Sequence, residues 1–119
     1  MKSFTDIEQS RKLADILPTE SADMYWWYSG KRYYIEAIDD GDFNEEEGHI
    51  RAWSLAALLN ILPLEIETHK QTDVYKIYYY VELYMKRMRR EIYLSTERHE
   101  KLVDACVAMI EKLHESNLL

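Results

Sequence analysis

The chain has 119 residues, of which 47% are hydrophobic, and a formal net charge of −7 at pH 7. This length and apolar content fit one core, so we expect a single domain over residues 1–119. The negative charge opposes contact with a phosphate backbone, which argues against nucleic acid as a partner. Charges occupy Met1–Ser10, where an export signal needs an apolar segment. We therefore expect a cytoplasmic protein without membrane association.

The first predicted element is a surface helix over 6–17. Thr5 and Glu8 have the spacing of a capping box, in which each side chain accepts from the other residue's amide. Pro18 ends the helix because it lacks the N–H that helix continuation needs.

Two aromatic runs flank Ser29-Gly30, and their high strand propensity on either side of a turn predicts a β-hairpin. Two interpretations stay open, because the rings either cover a core or form an exposed contact surface. Tyr and Trp are enriched at protein interfaces, which makes these rings candidate interaction residues. The candidates are Tyr25, Trp26, Trp27, Tyr28, Tyr33 and Tyr34.

An acidic loop is predicted over 39–48. Asp40, Asp42 and Asn44 have the spacing of the first calcium ligands of an EF-hand. Glu45 and Arg51 stand where that motif needs Gly and Glu, so no calcium site is expected. A central helix over 54–62 follows the loop, with Ser54 as N-cap. This helix is apolar on nearly every side, which predicts that it is enclosed in the core.

The next segments predict a sheet. Residues 64–68 alternate as a short strand, whereas 74–90 fit both a helical and a strand period. The β propensity of the Tyr-rich centre favours a strand to about Met85, a basic turn over 86–90 and a returning strand over 91–95. A last helix over 97–116, with Thr96 as N-cap, is predicted to pack across this sheet.

The elements together predict an α+β fold, with three helices (6–17, 54–62 and 97–116) on a small antiparallel sheet of hairpins. Cys106 lies on the apolar stripe of the last helix and is interpreted as a buried structural thiol. His49, His69, His99 and His114 lack the i, i+4 pairing or the neighbouring Cys of a metal site. Because phosphate-binding and nucleophile motifs are also missing, we expect no metal, cofactor, catalytic residue or enzymatic activity.

Several blocks of the chain resemble a family of small uncharacterised proteins from gut-dwelling Gram-negative anaerobes, often carried by prophages or other mobile elements. The blocks are 5–10 with 13–18, 20–24, 53–59 and 102–115, roughly half of the chain. The resemblance implies an α+β fold and a bacterial cytoplasmic setting. It assigns no catalytic residue.

The leading functional hypothesis is a non-enzymatic accessory protein of a prophage or mobile element, which contacts a protein partner through the aromatic hairpin. A homodimer is a further possibility, because Tyr-rich strand edges can pair. One alternative is a nucleic-acid contact through 86–90 or a nucleic-acid mimic formed by the carboxylates. Another alternative is a small ligand-binding protein or hydrolase.

Overall fold

A computed structural model describes residues 2–39, 43–72, 77–87 and 90–119. Within these ranges the chain forms three α-helices and two three-stranded antiparallel sheets, which confirms the predicted α+β class. The elements are α1 (Ile7–Ala14), β1 (Met24–Ser29), β2 (Arg32–Ala37), β3 (Ile50–Ala52), α2 (Leu55–Ile61), β4 (Ile66–Thr72), β5 (Ile77–Arg87), β6 (Arg90–Ser95) and α3 (Leu102–Glu115). Two compact units are present, Ser3–Ala57 and Leu58–Leu119 with Lys2. The expectation of one folding domain stays a prediction.

The N-terminal unit contains a sheet of order β2-β1-β3. The hairpin of β1 and β2 confirms the prediction, and Ser29 pairs with Arg32 across a two-residue turn. Gly30 has a φ of 68°, whereas Lys31 keeps the ordinary negative φ. Positive φ at the first central residue alone is the signature of a type II′ turn, which matches the twist of the flanking strands. Strand β3 was not predicted, because three residues are too few to show a period.

The capping box of α1 lies one residue later than expected. Asp6 accepts from the amide of Gln9 at 2.8 Å, and the Gln9 side chain accepts from the amide of Asp6 at 3.1 Å. Thr5 is fully buried, with its Oγ1 2.8 Å from Ser10 Oγ and accepting from the Trp53 amide at 3.1 Å. Because these contacts occupy its hydroxyl, Thr5 joins two segments of the unit and does not cap the helix, which ends at Ala14.

The central helix α2 has the predicted cap, since Ser54 Oγ accepts from the amide of Ala57 at 3.1 Å. Its predicted enclosure is wrong. Leu58 is buried, but Leu59 on the next position is 40% exposed. Seven residues make only about two turns, and a helix this short depends on tertiary packing for its stability. Burial of Leu58 supplies part of that packing.

The acidic segment is a loop in its described part, with a short 3₁₀ turn at Glu45–Glu47. Asn44 caps that turn by accepting from the amide of Glu46 at 2.9 Å. Asp40 and Asp42 lie outside the described residues.

The C-terminal unit contains the sheet of order β4-β5-β6, with α3 packed against β5 and β6. The strand interpretation of the Tyr-rich segment is confirmed over 77–87, while 73–76 lie outside the described residues. Val81, Leu83 and Met85 alternate along β5 and are buried. They define the face that α3 covers, and the intervening residues point the other way.

Two boundaries in this unit differ from the predictions. Thr96 does not cap α3, because its Oγ1 accepts from the Val81 amide at 2.9 Å and its own amide donates to Val81 O at 2.9 Å. The helix begins at Leu102 instead. Lys86 and Arg87 belong to β5 and Arg90 opens β6, so these three residues of the predicted basic turn lie in strands instead. Residues 88–89 lie outside the described residues. No helix of the described residues is long and apolar enough to cross a membrane.

Gly30→Ala tests the hairpin turn. A Cβ at this position meets no atom within 4 Å, so the cost comes from the positive φ alone. We expect the free energy of unfolding to decrease by about 1–2 kcal/mol. The three tryptophans all lie in the N-terminal unit, so tryptophan fluorescence during urea unfolding reports this unit. Lys31→Ala is the control, because its φ suits any residue, and an equal loss in both variants would contradict the turn type.

Cys106 offers a second test. Burial raises the pKa of its thiol from 9.0 to about 11, and the side chain has no exposed surface. At pH 8 the thiolate, which is the reactive form, is about a hundredfold scarcer than in an ordinary cysteine. We expect reaction with a disulfide reagent such as DTNB to be at least hundredfold slower in the native protein than in urea. Equal rates would mean that the thiol is accessible.

Candidate functional site

The strand register divides the six predicted interaction residues between two faces of the hairpin. Trp26 pairs with Ile35 and Tyr28 pairs with Tyr33 on one face. Tyr25 and Trp27 point to the opposite face, because successive strand residues alternate. The six rings therefore do not form one surface.

Tyr25 and Trp26 contribute to packing. Tyr25 is 4% exposed, donates its hydroxyl to Glu36 at 3.0 Å and stacks on His49 with 4.9 Å between ring centroids. Trp26 is half-buried and donates its Nε1 to the carbonyl of Thr5 at 3.1 Å. Both rings lie at the base of the hairpin, far from its turn.

The other four rings cluster at the turn end of the hairpin and are called the aromatic tip: Trp27, Tyr28, Tyr33 and Tyr34. Tyr28 is 58% exposed and Tyr34 is 37% exposed. Trp27 and Tyr34 stack with 4.8 Å between centroids, and Tyr28 and Tyr33 are 5.1 Å apart. These cross-strand pairs stabilise the hairpin and fix the exposed rings in place.

Three cations surround the aromatic tip. Arg32 donates its Nε to the Tyr34 hydroxyl at 2.9 Å, and its guanidinium carbon lies 5.1 Å from the centroid of that ring. Arg11 donates to the Tyr33 hydroxyl at 3.4 Å, and Lys31 is exposed in the turn. In the part of the chain that the structure describes, no carboxylate forms an ion pair with these three cations. Three positive charges therefore lie beside the aromatic tip of an acidic protein.

A second cluster lies on the open face of the C-terminal sheet and consists of Glu67, His69 and Glu82. His69 Nε2 is 2.6 Å from Glu82 Oε1 and 3.5 Å from Glu67 Oε2. The His69 ring stacks on Tyr80 with 4.6 Å between centroids and an interplanar angle of 11°. Tyr93 donates its hydroxyl to Glu82, and this hydrogen bond raises the pKa of the Tyr93 phenol.

Sequence reasoning missed this cluster. Glu67 and His69 are two residues apart, which places both on one face of a strand, whereas the metal motifs expected from sequence have helical i, i+4 spacing or neighbouring cysteines. Glu82 reaches them only through the β4–β5 register, in which it pairs with Glu67. A groove of about 350 Å³ borders the cluster. Besides Glu67 and Glu82, it is lined by Leu64, Glu65, Ile66, Tyr84 and Tyr93.

No protein-family model, curated protein or solved structure matches the chain.

The aromatic tip and the cluster of Glu67, His69 and Glu82 differ in the ligands that they can bind. Exposed rings beside cations suit contact with an anionic surface, whereas an imidazole between two carboxylates can hold a proton or a metal ion.

Tyr34→Ala tests the geometry of the aromatic tip. Losing the stack on Trp27 should decrease the free energy of unfolding by about 1 kcal/mol. The substitution should also shift tryptophan emission to longer wavelength, because the Trp27 ring becomes more exposed to water. Tyr28→Ala is the control for emission, since Tyr28 pairs with Tyr33 on the other face. An emission spectrum that Tyr34→Ala leaves unchanged would contradict the stack.

Proposed function

We propose that the protein is a non-enzymatic interaction module whose aromatic tip binds a short, extended, acidic segment of a partner protein. The observation that carries this proposal is the cluster of exposed tyrosines beside three cations that lack a carboxylate partner among the described residues. The resemblance to proteins of mobile elements suggests a host or phage protein as the source of the segment.

The residue types of the tip support a protein contact. Tyr, Trp and Arg dominate the binding energy of many interfaces, because they bury large areas and form directional hydrogen bonds. Tyrosine loses little conformational entropy when it is buried, and here the stacked pairs already hold the rings. The guanidinium of Arg32 can bind a carboxylate with two parallel hydrogen bonds.

The position of β2 supports an extended partner. This strand is at an edge of its sheet, since the strand order is β2-β1-β3. An edge strand has unpaired N–H and C=O groups that can pair with another chain. A segment added beside β2 would run along Arg32–Ala37 and place its acidic side chains near Arg32 and Lys31.

A display library of extended peptides, screened against the intact protein, tests this function. We expect the enriched peptides to be rich in Asp and Glu and to lose affinity as salt increases. A strand added beside β2 directs alternate side chains to both faces of the hairpin. Arg32→Glu on one face and Tyr28→Ser on the other should therefore each weaken binding at least about tenfold.

The second sheet supplies matched controls. Tyr84 is 54% exposed, close to the exposure of Tyr28, and the Arg98 guanidinium lies 5.3 Å from the Tyr78 centroid, much as Arg32 lies over Tyr34. Tyr84→Ser and Arg98→Glu should leave peptide affinity unchanged, and equal losses in all four variants would contradict the proposal.

Tighter binding of single-stranded DNA or RNA than of any peptide would favour the nucleic-acid alternative. A dimeric solution mass that Tyr28→Ser abolishes would identify a second copy of the chain as the partner.

A further inference from the structure

We propose that Glu67, His69 and Glu82 form a binding site for one divalent transition-metal ion of the zinc type. This site lies in the C-terminal unit and is independent of the aromatic tip. Its donors are one imidazole nitrogen and two carboxylate oxygens.

The sheet holds these donors in place. Glu67 and His69 alternate with Thr68 along β4, and Glu82 lies between Val81 and Leu83 on β5. Val81 and Leu83 are fully buried, so Glu82 points away from α3 and toward the same face as its pair Glu67. Donors on two hydrogen-bonded strands are placed more reproducibly than donors on a loop.

The distances suit a four-coordinate ion. The three donor atoms all lie within 4.8 Å of one another, and Nε2 of His69 is 3.5 Å from the nearer Glu67 oxygen. Around a tetrahedral zinc with bonds of about 2.0–2.2 Å, ligand atoms are about 3.4 Å apart. To bind the ion, the 2.6 Å distance between His69 Nε2 and Glu82 Oε1 must increase, and the longest distance between two donor atoms must decrease. Rotation of the two glutamate side chains allows both changes.

Nε2 of His69 faces both carboxylates, at 2.6 Å from Glu82 Oε1 and 3.5 Å from Glu67 Oε2. Nε2 is buried and makes no well-oriented hydrogen bond to any described residue, although Glu82 Oε1 is close. In a metal site the histidine lone pair points at the ion, so the carboxylate oxygens bound to the same ion lie to the side of that axis. A short but poorly aligned contact between Nε2 and a carboxylate oxygen is therefore expected for two ligands of one ion. A divalent cation would also neutralise the two carboxylates together.

Two neighbours position the ligands. Tyr80 stacks on the imidazole and fixes its plane, and Tyr93 donates to Oε2 of Glu82 while Oε1 faces His69. Such hydrogen bonds to metal ligands orient them and increase metal affinity. Tyr93 is therefore a positioning residue of the site.

The donor set selects the class of metal. One nitrogen and two oxygens suit Zn²⁺ and similar ions, whereas Ca²⁺ and Mg²⁺ require six or more oxygen ligands. Three protein ligands leave the fourth position to water, and the groove of about 350 Å³ beside the cluster has room for it.

Calorimetric titration of the full chain with Zn²⁺ tests the site, and Co²⁺ absorbance reports the geometry. We expect one ion per chain, a tetrahedral Co²⁺ spectrum and little binding of Mg²⁺. His69→Gln and Glu82→Gln should weaken Zn²⁺ binding by more than about a hundredfold, and Tyr93→Phe by about tenfold.

Two matched controls exclude general effects of charge and of histidine. Glu65→Gln removes a carboxylate that lines the same groove, and His114→Gln removes an exposed imidazole on α3. Both should bind Zn²⁺ as the wild type does. The proposal is overturned by a wild type that does not bind Zn²⁺, by Mg²⁺ binding of equal strength, or by ligand variants that bind as tightly as the controls. If only the thermal stability of His69→Gln decreases, the cluster is a structural ion pair.

Discussion

The period of two along β5 is the constraint on which the C-terminal unit depends. Val81, Leu83 and Met85 are buried on the face that α3 covers. Burial of each side chain contributes about 1.5–3 kcal/mol to the free energy of unfolding. A cross-strand polar or charged pair contributes about 0.2–1 kcal/mol, so burial and not charge pairing decides the register. A slip of one residue would put Glu82 beneath α3. The position of Glu82 beside Glu67 and His69 is therefore a consequence of the core.

In the N-terminal unit a small buried polar cluster has the corresponding role. Thr5 joins Ser10 to the backbone of Trp53, and Trp53, which has no exposed surface, donates its indole N–H to Ser21 at 3.0 Å. Because unpaired polar groups are costly in a core, these bonds specify one arrangement of α1, β3 and the connecting segments. Trp26 attaches the base of the hairpin to the same place by donating to the Thr5 carbonyl. The base is thus held by packing, while the tip is exposed.

Local signals predicted most of the fold, because strands, turns and caps depend on neighbours in the sequence. Local sequence was sufficient to predict the hairpin at Gly30, the cap at Ser54 and the strand through the Tyr-rich segment. Thr5 and Thr96 were wrongly predicted to be helix caps for one shared reason. Each has the sequence context of a cap, but its hydroxyl accepts a hydrogen bond from a backbone amide that is distant in sequence. The candidate sites needed tertiary information too. Sequence named the rings of the hairpin but could not separate buried Tyr25 from exposed Tyr28, and it could not bring Glu82 to His69.

The proposed binding of an acidic segment depends on local positive charge at the tip, because the chain as a whole has a net charge of −7. Strand β2 runs from Arg32 to Ala37, about 17 Å at 3.3 Å per residue. The strand is about two Debye lengths long at physiological salt, and exposed charges that far apart are largely screened from each other. Arg51 further pairs with Glu45 at 2.9 Å. In the proposed complex, the cations beside a short acidic segment at the tip would be Arg11, Lys31 and Arg32. The net charge of −7 would oppose a nucleic acid, which has a charge at every phosphate.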